Sequence, residues 1–215
     1  MTCCLYIDHR VSTIRSILMA LAFGMSLFIM PSAQSKSFVE GTHYSVIEQA
    51  TFSEPSEVVE FFSFSCPGCY AMEPLVKSMQ AALPEINLRR VHMPYGGRKA
   101  KQSQKVFVLM TLLHAEQYKD AIFKRIHSQQ DLFDSDKEII GYFVSLGYER
   151  RKVEQLFRSF SADTKLRQMN KEGINRKVQS VPSFIVNGRY QVILSAVASG
   201  DDFTQLIDYL NRLVE

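Results

Sequence analysis

Seven residues, Val58-Val59-Glu60-Phe61-Phe62-Ser63-Phe64, lead directly into Ser65-Cys66-Pro67-Gly68-Cys69, and this junction constrains the chain more than any other stretch. An apolar run rich in Val and Phe reads as a buried strand. Tyr70-Ala71-Met72-Glu73-Pro74-Leu75-Val76 can continue as a helix, which sets two cysteines two residues apart at the point where strand becomes helix. The first N–H groups of a helix have no partners inside it, and the helix dipole is positive there. Both effects favour a thiolate, so Cys66 is the candidate nucleophile of a redox pair. Cys69, one turn inward, is placed to attack a mixed disulfide formed at Cys66. The rival reading is half of a tetrahedral zinc site. That needs two further ligands, and no second C-x-x-C or close Cys/His pair occurs, so no metal is expected.

The other two of the four cysteines, Cys3 and Cys4, lie in a segment that reads as a signal peptide over residues 1–35. His9, Arg10 and Arg15 precede an apolar run from Ile17 to Met30, followed by small residues in Pro31-Ser32-Ala33-Gln34-Ser35. The run is shorter than the roughly 20 residues that span a bilayer and suits a signal-peptide core, with an uncleaved anchor as the alternative. Acylation of Cys3 or Cys4 is another alternative. Without the leader, one cysteine pair remains. A two-residue gap staples nothing, so export to an oxidising compartment points to catalysis of disulfide chemistry. A net charge of +3, from 25 Lys plus Arg against 22 Asp plus Glu, gives no argument for nucleic acid.

Along the chain, a short strand is expected around Tyr44–Ile47, a turn at Glu54-Pro55-Ser56 and a central strand at Val58–Phe64. A helix follows over Pro67–Ala82. Pro67 suits its first turn and Pro74 should kink it. Leu88–Met93 is the next strand, ended by Pro94-Tyr95-Gly96-Gly97. The middle is helical: Lys99–Gln117, Tyr118–His127, a helix opened by the capping box Ser135-Asp136-Lys137-Glu138, one marked by Val153, Leu156 and Phe157, and Thr164–Lys177. Asn187-Gly188 between Ser183–Val186 and Arg189–Val192 signals a type I′ hairpin, and Asp201–Leu213 reads as a final amphipathic helix. His92, His114 and His127 read as surface or packing residues, and Lys99, Lys101 and Lys105 as a solvated face.

Two blocks, Glu60-Phe61-Phe62-Ser63-Phe64-Ser65-Cys66-Pro67-Gly68-Cys69-Tyr70 and Val181-Pro182-Ser183-Phe184-Ile185-Val186-Asn187-Gly188-Arg189-Tyr190-Gln191, resemble the DsbA family of periplasmic thiol oxidases. The resemblance implies an α/β chain: a thioredoxin-like fold (residues 36–97 and 179–215) with an inserted all-helical domain (residues 98–178). It implies a periplasmic thiol:disulfide oxidoreductase that oxidises reduced exported proteins. A DsbB-like quinone-linked membrane oxidase would reoxidise it. Glu60 matches the family's acidic residue beneath the cysteines, where burial should raise its pKa and let it exchange a proton with Cys69. Pro182 matches a cis-proline facing the cysteines, and Val181 borders them, where an unpaired backbone edge can hold a peptide. No cofactor is implied, and the chain is read as a monomer.

Two positions depart from the family pattern. The family's dipeptide between the cysteines is Pro-His, and here it is Pro67-Gly68. An imidazole beside the nucleophile helps stabilise a thiolate and Gly68 cannot, so Pro67 and Gly68 tune the site. Across C-x-x-C sites the nucleophile's pKa runs from about 3.5 in the strongest oxidases to about 7 in thioredoxin, and roughly 4–6 is expected here. Pro74 stands where thioredoxin itself has a proline, which leaves a reductase or isomerase of the same fold open. Glutathione-using transferases share helices inserted in this fold but typically use a single serine or cysteine. A metal-binding or chaperone module is the non-enzymatic alternative.

Overall fold

The computed structural model describes residues 37–48 and 57–213. Strands β1 (Tyr44–Val46) and β2 (Glu57–Phe62), helix α1 (Pro67–Ala82) and strand β3 (Asn87–His92) come first. Helices α2 (Ala100–Leu112), α3 (Lys119–His127), α4 (Asp136–Ser145), α5 (Arg150–Phe157) and α6 (Phe160–Asn175) follow, with a 3₁₀ turn at Glu116–Tyr118. The chain closes with β4 (Ser183–Val186), β5 (Tyr190–Val192), a second 3₁₀ turn at Leu194–Ala196 and α7 (Gly200–Arg212). The expected leader and the turn at residues 54–56 lie outside the described residues.

The sheet has the order β1-β5-β4-β2-β3, with β3 parallel to β2 and the other neighbours antiparallel. β2 is paired on both sides and buried from Val58 to Phe62, which is why it reads as a nearly continuous apolar run. Successive side chains alternate between faces. Val58 packs with Val76, Met79, Phe203 and Leu206 of α1 and α7, whereas Val59 and Phe61 pack with Val91 and Ile185 on the other face. Glu60 therefore belongs to the Val58 face, under α1. The hairpin joining β4 to β5 turns at Asn187 (φ 50°) and Gly188 (φ 71°), both in the left-handed region that a type I′ turn requires.

Some boundaries differ from the sequence expectation. β2 ends at Phe62, not Phe64. Beyond the last ladder bond, from Met93 N–H to the Phe62 carbonyl, the Phe64 N–H is taken by His92 Nε2 and the Cys66 N–H by the Ser63 carbonyl. The helix expected over Lys99–Gln117 stops at Leu112 because His114 adopts a left-handed φ of 52°. Helix α6 starts at Phe160, four residues before the expected Thr164, because Ser159 Oγ caps it by accepting the Ala162 N–H. Helix α1 is assigned as one element from Pro67 to Ala82 with Pro74 inside it.

Candidate active site

Cys66 is the N-cap of α1, with extended backbone (φ −91°, ψ 116°) and Pro67 beginning the first turn. Its sulfur accepts the Cys69 N–H at 3.4 Å. An N-cap normally offers an oxygen to an orphan N–H, and here a sulfur takes that place. Both cysteines are free, so the geometry is that of the dithiol. The Cys66 pKa is lowered to about 6, first by the hydrogen bond from the Cys69 thiol, then by the backbone N–H groups of Cys69 and Gly68, with burial opposing. Cys69 moves the opposite way, raised by donating that proton, by burial and by the nearby charge of Glu60. Both shifts favour the negative charge on Cys66 and the proton on Cys69. Cys66 keeps 7% of its surface and Cys69 none, so the nucleophile reaches solvent through a narrow opening.

The opening is walled by two distant segments. The Val181–Pro182 bond is cis, and the Val181 carbonyl lies 3.5 Å from Cys66 Sγ, accepting from it while Cys66 is a thiol. The second wall is the turn after β3. At Gly96, whose φ is +93°, a Cβ would meet Val181 Cγ2 at 2.5 Å and Cys66 Cβ at 3.2 Å. A Cβ on Gly97 would meet the Ser65 carbonyl oxygen at 2.0 Å. These glycines read in sequence as punctuation after a strand; their place against the cysteine loop follows only from the parallel pairing of β3 with β2. At Gly68 a Cβ would lie 3.4 Å from Pro182 Cδ and 3.7 Å from Cys66 Sγ, ordinary contacts that leave room for a side chain.

Beneath the cysteines lies a buried charge cluster of which sequence reasoning found one member. Glu60 is fully buried, and Arg90 Nε donates to its Oε2 at 2.6 Å. The two are register partners on β2 and β3. Arg90 Nη2 also lies 3.6 Å from Glu73 Oε1, and Lys119 Nζ donates to Glu73 Oε2. Glu73 falls one turn after Cys69 on the stripe Cys69, Glu73, Val76, Met79 that α1 buries. That spacing was the available signal for it. Burial raises the Glu60 pKa, Arg90 opposes this and Glu73 adds to it.

Two of the three histidines read as surface or packing residues pack beside the site. His92 is fully buried and its Nε2 accepts the Phe64 N–H at 2.9 Å. His127 Nε2 lies 2.8 Å from the Phe64 carbonyl, and its ring stacks on Tyr70 with centroids 5.0 Å apart. An amide N–H only donates and a carbonyl only accepts. His92 Nε2 therefore carries no proton and His127 Nε2 carries one. His92 continues to Ser103 Oγ at 3.2 Å and through it to Ser65 Oγ at 2.9 Å, so the loop before Cys66 is tied to α2 as well as α3. His114 is exposed. Among the described residues no group of three or more His, Cys, Asp or Glu side chains could hold a metal ion.

The site is thus a dithiol at a helix start facing a cis-proline, in a mixed sheet with five helices between β3 and β4. The family model for a DSBA-like thioredoxin domain matches residues 57–211. The chain belongs to that family. Among curated relatives, the thiol:disulfide interchange protein DsbA of Haemophilus influenzae is 29% identical over 204 residues, covering 93% of this chain and 97% of its own. The protein of the same name from Pseudomonas aeruginosa is 27% identical over 198 residues, covering 90% and 93%. The crystal structure of Pseudomonas aeruginosa DsbA superposes with a TM-score of 0.72 at 23% identity, over 81% of this chain and 93% of that one. The protein is a thiol:disulfide oxidoreductase with the thioredoxin-like fold of that family.

Proposed function

We propose that the protein donates the Cys66–Cys69 disulfide to reduced, exported proteins. A substrate thiolate attacks Cys66 Sγ; the Cys66–Cys69 bond breaks, and Cys69 leaves as a thiolate that takes up a proton. A second substrate thiolate attacks the substrate sulfur bound to Cys66, closing the substrate disulfide and releasing Cys66 as a thiolate. The substrate loses two electrons and the protein gains them. The observation that carries this direction is the place of Cys66 at the N-cap of α1, its sulfur accepting the Cys69 N–H at 3.4 Å, which holds the thiol below its ordinary pKa. A stabilised Cys66 thiolate is a good leaving group and favours the reduced form over the disulfide, so the disulfide is readily given away.

In this reading Glu60 gives Cys69 its proton during substrate oxidation and receives it back during reoxidation. Val181 and Pro182 hold the substrate backbone beside Cys66, and Pro67 and Gly68 set the exposure and acidity of its sulfur. Export rests on the apolar stretch Ile17–Met30, and the periplasm on the likeness to the DsbA relatives. A DsbB-like quinone-linked membrane oxidase would return the disulfide. The order of elements, with five helices between β3 and β4, supports an inserted helical domain over residues 98–178. Separate Cys66→Ser and Cys69→Ser variants test the roles. Cys66→Ser should abolish thiol oxidation, and Cys69→Ser should accumulate mixed disulfides with protein partners. Adducts found on Cys69 and never on Cys66 would reverse the assignment.

The absent imidazole at Gly68 favours a second reading, a reductase of the same fold. Reduction potential separates the two.

A further inference from the structure

Lys119 is the first residue of α3, where the helix dipole disfavours a cation. Its side chain is nonetheless only 13% exposed and its Nζ is spent on Glu73, itself 7% exposed. Arg90, 16% exposed, stands between Glu73 and the fully buried Glu60. The four alternate in sign, Glu60–Arg90–Glu73–Lys119, and come from β2, β3, α1 and α3. The cluster is neutral only with Lys119 in it. Beyond Lys119 lie Asp120, 3.5 Å from its Nζ, and Lys77, which pairs with Asp120; both are more than half exposed. Glu73, Lys77 and Asp120 line a mostly apolar cavity of about 690 Å³ between α1 and α3.

We propose that Lys119 is a positioning residue of the thiol–disulfide reaction: by engaging Glu73 from the helical side, it leaves the Arg90 guanidinium to Glu60 and so sets how readily Glu60 accepts the Cys69 proton. The proposal rests on the reading of Glu60 as proton acceptor. The step concerned is reoxidation. Cys69 Sγ bonds to Cys66 Sγ, the bond from Cys66 to the incoming sulfur breaks, that sulfur leaves as a thiolate, and the Cys69 proton passes to the Glu60 carboxylate. Without Lys119, two buried carboxylates share one guanidinium. The Glu73 charge then raises the pKa of the fully buried Glu60 with one opposing cation fewer, so Glu60 holds a proton to higher pH. Glu60 then meets Cys69 already protonated and cannot accept from it. Without the Glu73 charge, Glu60 faces Arg90 and Lys119 together and stays ionised to lower pH.

The test is the rate at which Cys69 resolves the Cys66–glutathione mixed disulfide, followed by rapid acid quench across pH after mixing reduced protein with oxidised glutathione. Lys119→Met should move the rise of the profile to higher pH and slow the step about ten-fold on its acid side, one pH unit corresponding to a factor of ten. Lys119→Arg should restore it, and Glu73→Gln should move it to lower pH. A structural role for Lys119 would lower stability and leave the profile in place. Coincident profiles for wild type and Lys119→Met, or shifts of the same sign in Lys119→Met and Glu73→Gln, overturn the proposal. Should Lys119→Met not fold, an unshifted Glu73→Gln profile overturns it equally. Glu60→Gln separates the two levels. If it leaves the wild-type profile intact, the relay reading fails and this inference with it. If it removes the rise while Lys119→Met changes nothing, only the role of Lys119 fails.

Discussion

His127 Nε2 donates to the Phe64 carbonyl at 2.8 Å, linking the end of α3 to the residue two before Cys66 across 63 positions of sequence. The same ring stacks on Tyr70, directly after Cys69, and on Phe123. His127→Ala removes the hydrogen bond and the stack together. It should lower stability by about 1–3 kcal/mol in urea unfolding, the sum of one net hydrogen bond and one aromatic pair. His127→Gln, which keeps a donor but not the ring, should lose about half as much. Equal stability of His127→Ala and wild type would show that the contact contributes nothing.

His92 gives the fold a pH dependence of defined sign. Burial lowers its pKa to about 3 from an ordinary 6.5. Between those values the unfolded chain binds a proton that the folded chain refuses, so stability falls as pH drops from 6.5 towards 3, by at most about 1.4 kcal/mol per unit. Glu60 opposes this, because its raised pKa contributes stability at low pH that is lost as pH rises through the folded value. The comparison that isolates His92 is wild type against His92→Gln, whose amide can still accept the Phe64 N–H. The stability difference should shift in favour of His92→Gln as the pH is lowered. A constant difference from pH 7 to 4 contradicts the assignment of a neutral, buried ring.

Gly97 is limited by space. A Cβ there would overlap the Ser65 carbonyl at 2.0 Å, and that carbonyl is backbone and cannot swing aside. Gly97→Ala should cost about 2 kcal/mol or more and displace the loop carrying Cys66. Thermal unfolding reads the first effect and the reactivity of Cys66 towards a small disulfide reads the second. A variant with wild-type values for both would mean that the turn moves freely away from the cysteines.

The strand–Cys66–Cys69–helix junction, the Asn187-Gly188 hairpin and α7 were legible because each carries its cause locally: a run of Val and Phe, residues suited to left-handed turns, an apolar stripe. Glu60 and Pro182 stood out only through resemblance. Arg90, Glu73 and Lys119 were hidden for the opposite reason. Arg90 and Lys119 each stand beside another charged residue, Glu73 lies between Met72 and Pro74, and the burial of all three together exists only because β2, β3, α1 and α3 meet at one point. The hydrogen bonds of His92 and His127 were hidden likewise, since the backbone of Phe64 that occupies them is distant in sequence.

Gly68 tests how far the imidazole of the family dipeptide accounts for acidity. A Cβ at this position makes ordinary contacts with Pro182 and Cys66, so Gly68→His should fold. A protonated imidazole beside the sulfur should lower the Cys66 pKa further and raise the reduction potential, by up to about 30 mV per pKa unit. Titration of the thiolate absorbance before and after the substitution measures it. An unchanged or higher pKa would place the source of acidity entirely in the Cys69 thiol and the helix terminus.

The most direct test of the central claim is the titration of Cys66 in the reduced wild-type protein, followed by thiolate absorbance and paired with equilibration against glutathione. The account predicts a thiolate forming at a pKa of about 6. It predicts a potential clearly above the roughly −270 mV of thioredoxin, so that the disulfide passes to substrates. A pKa near 7 or above together with a potential near −270 mV would contradict it, and the protein would be a reductase built on the same site.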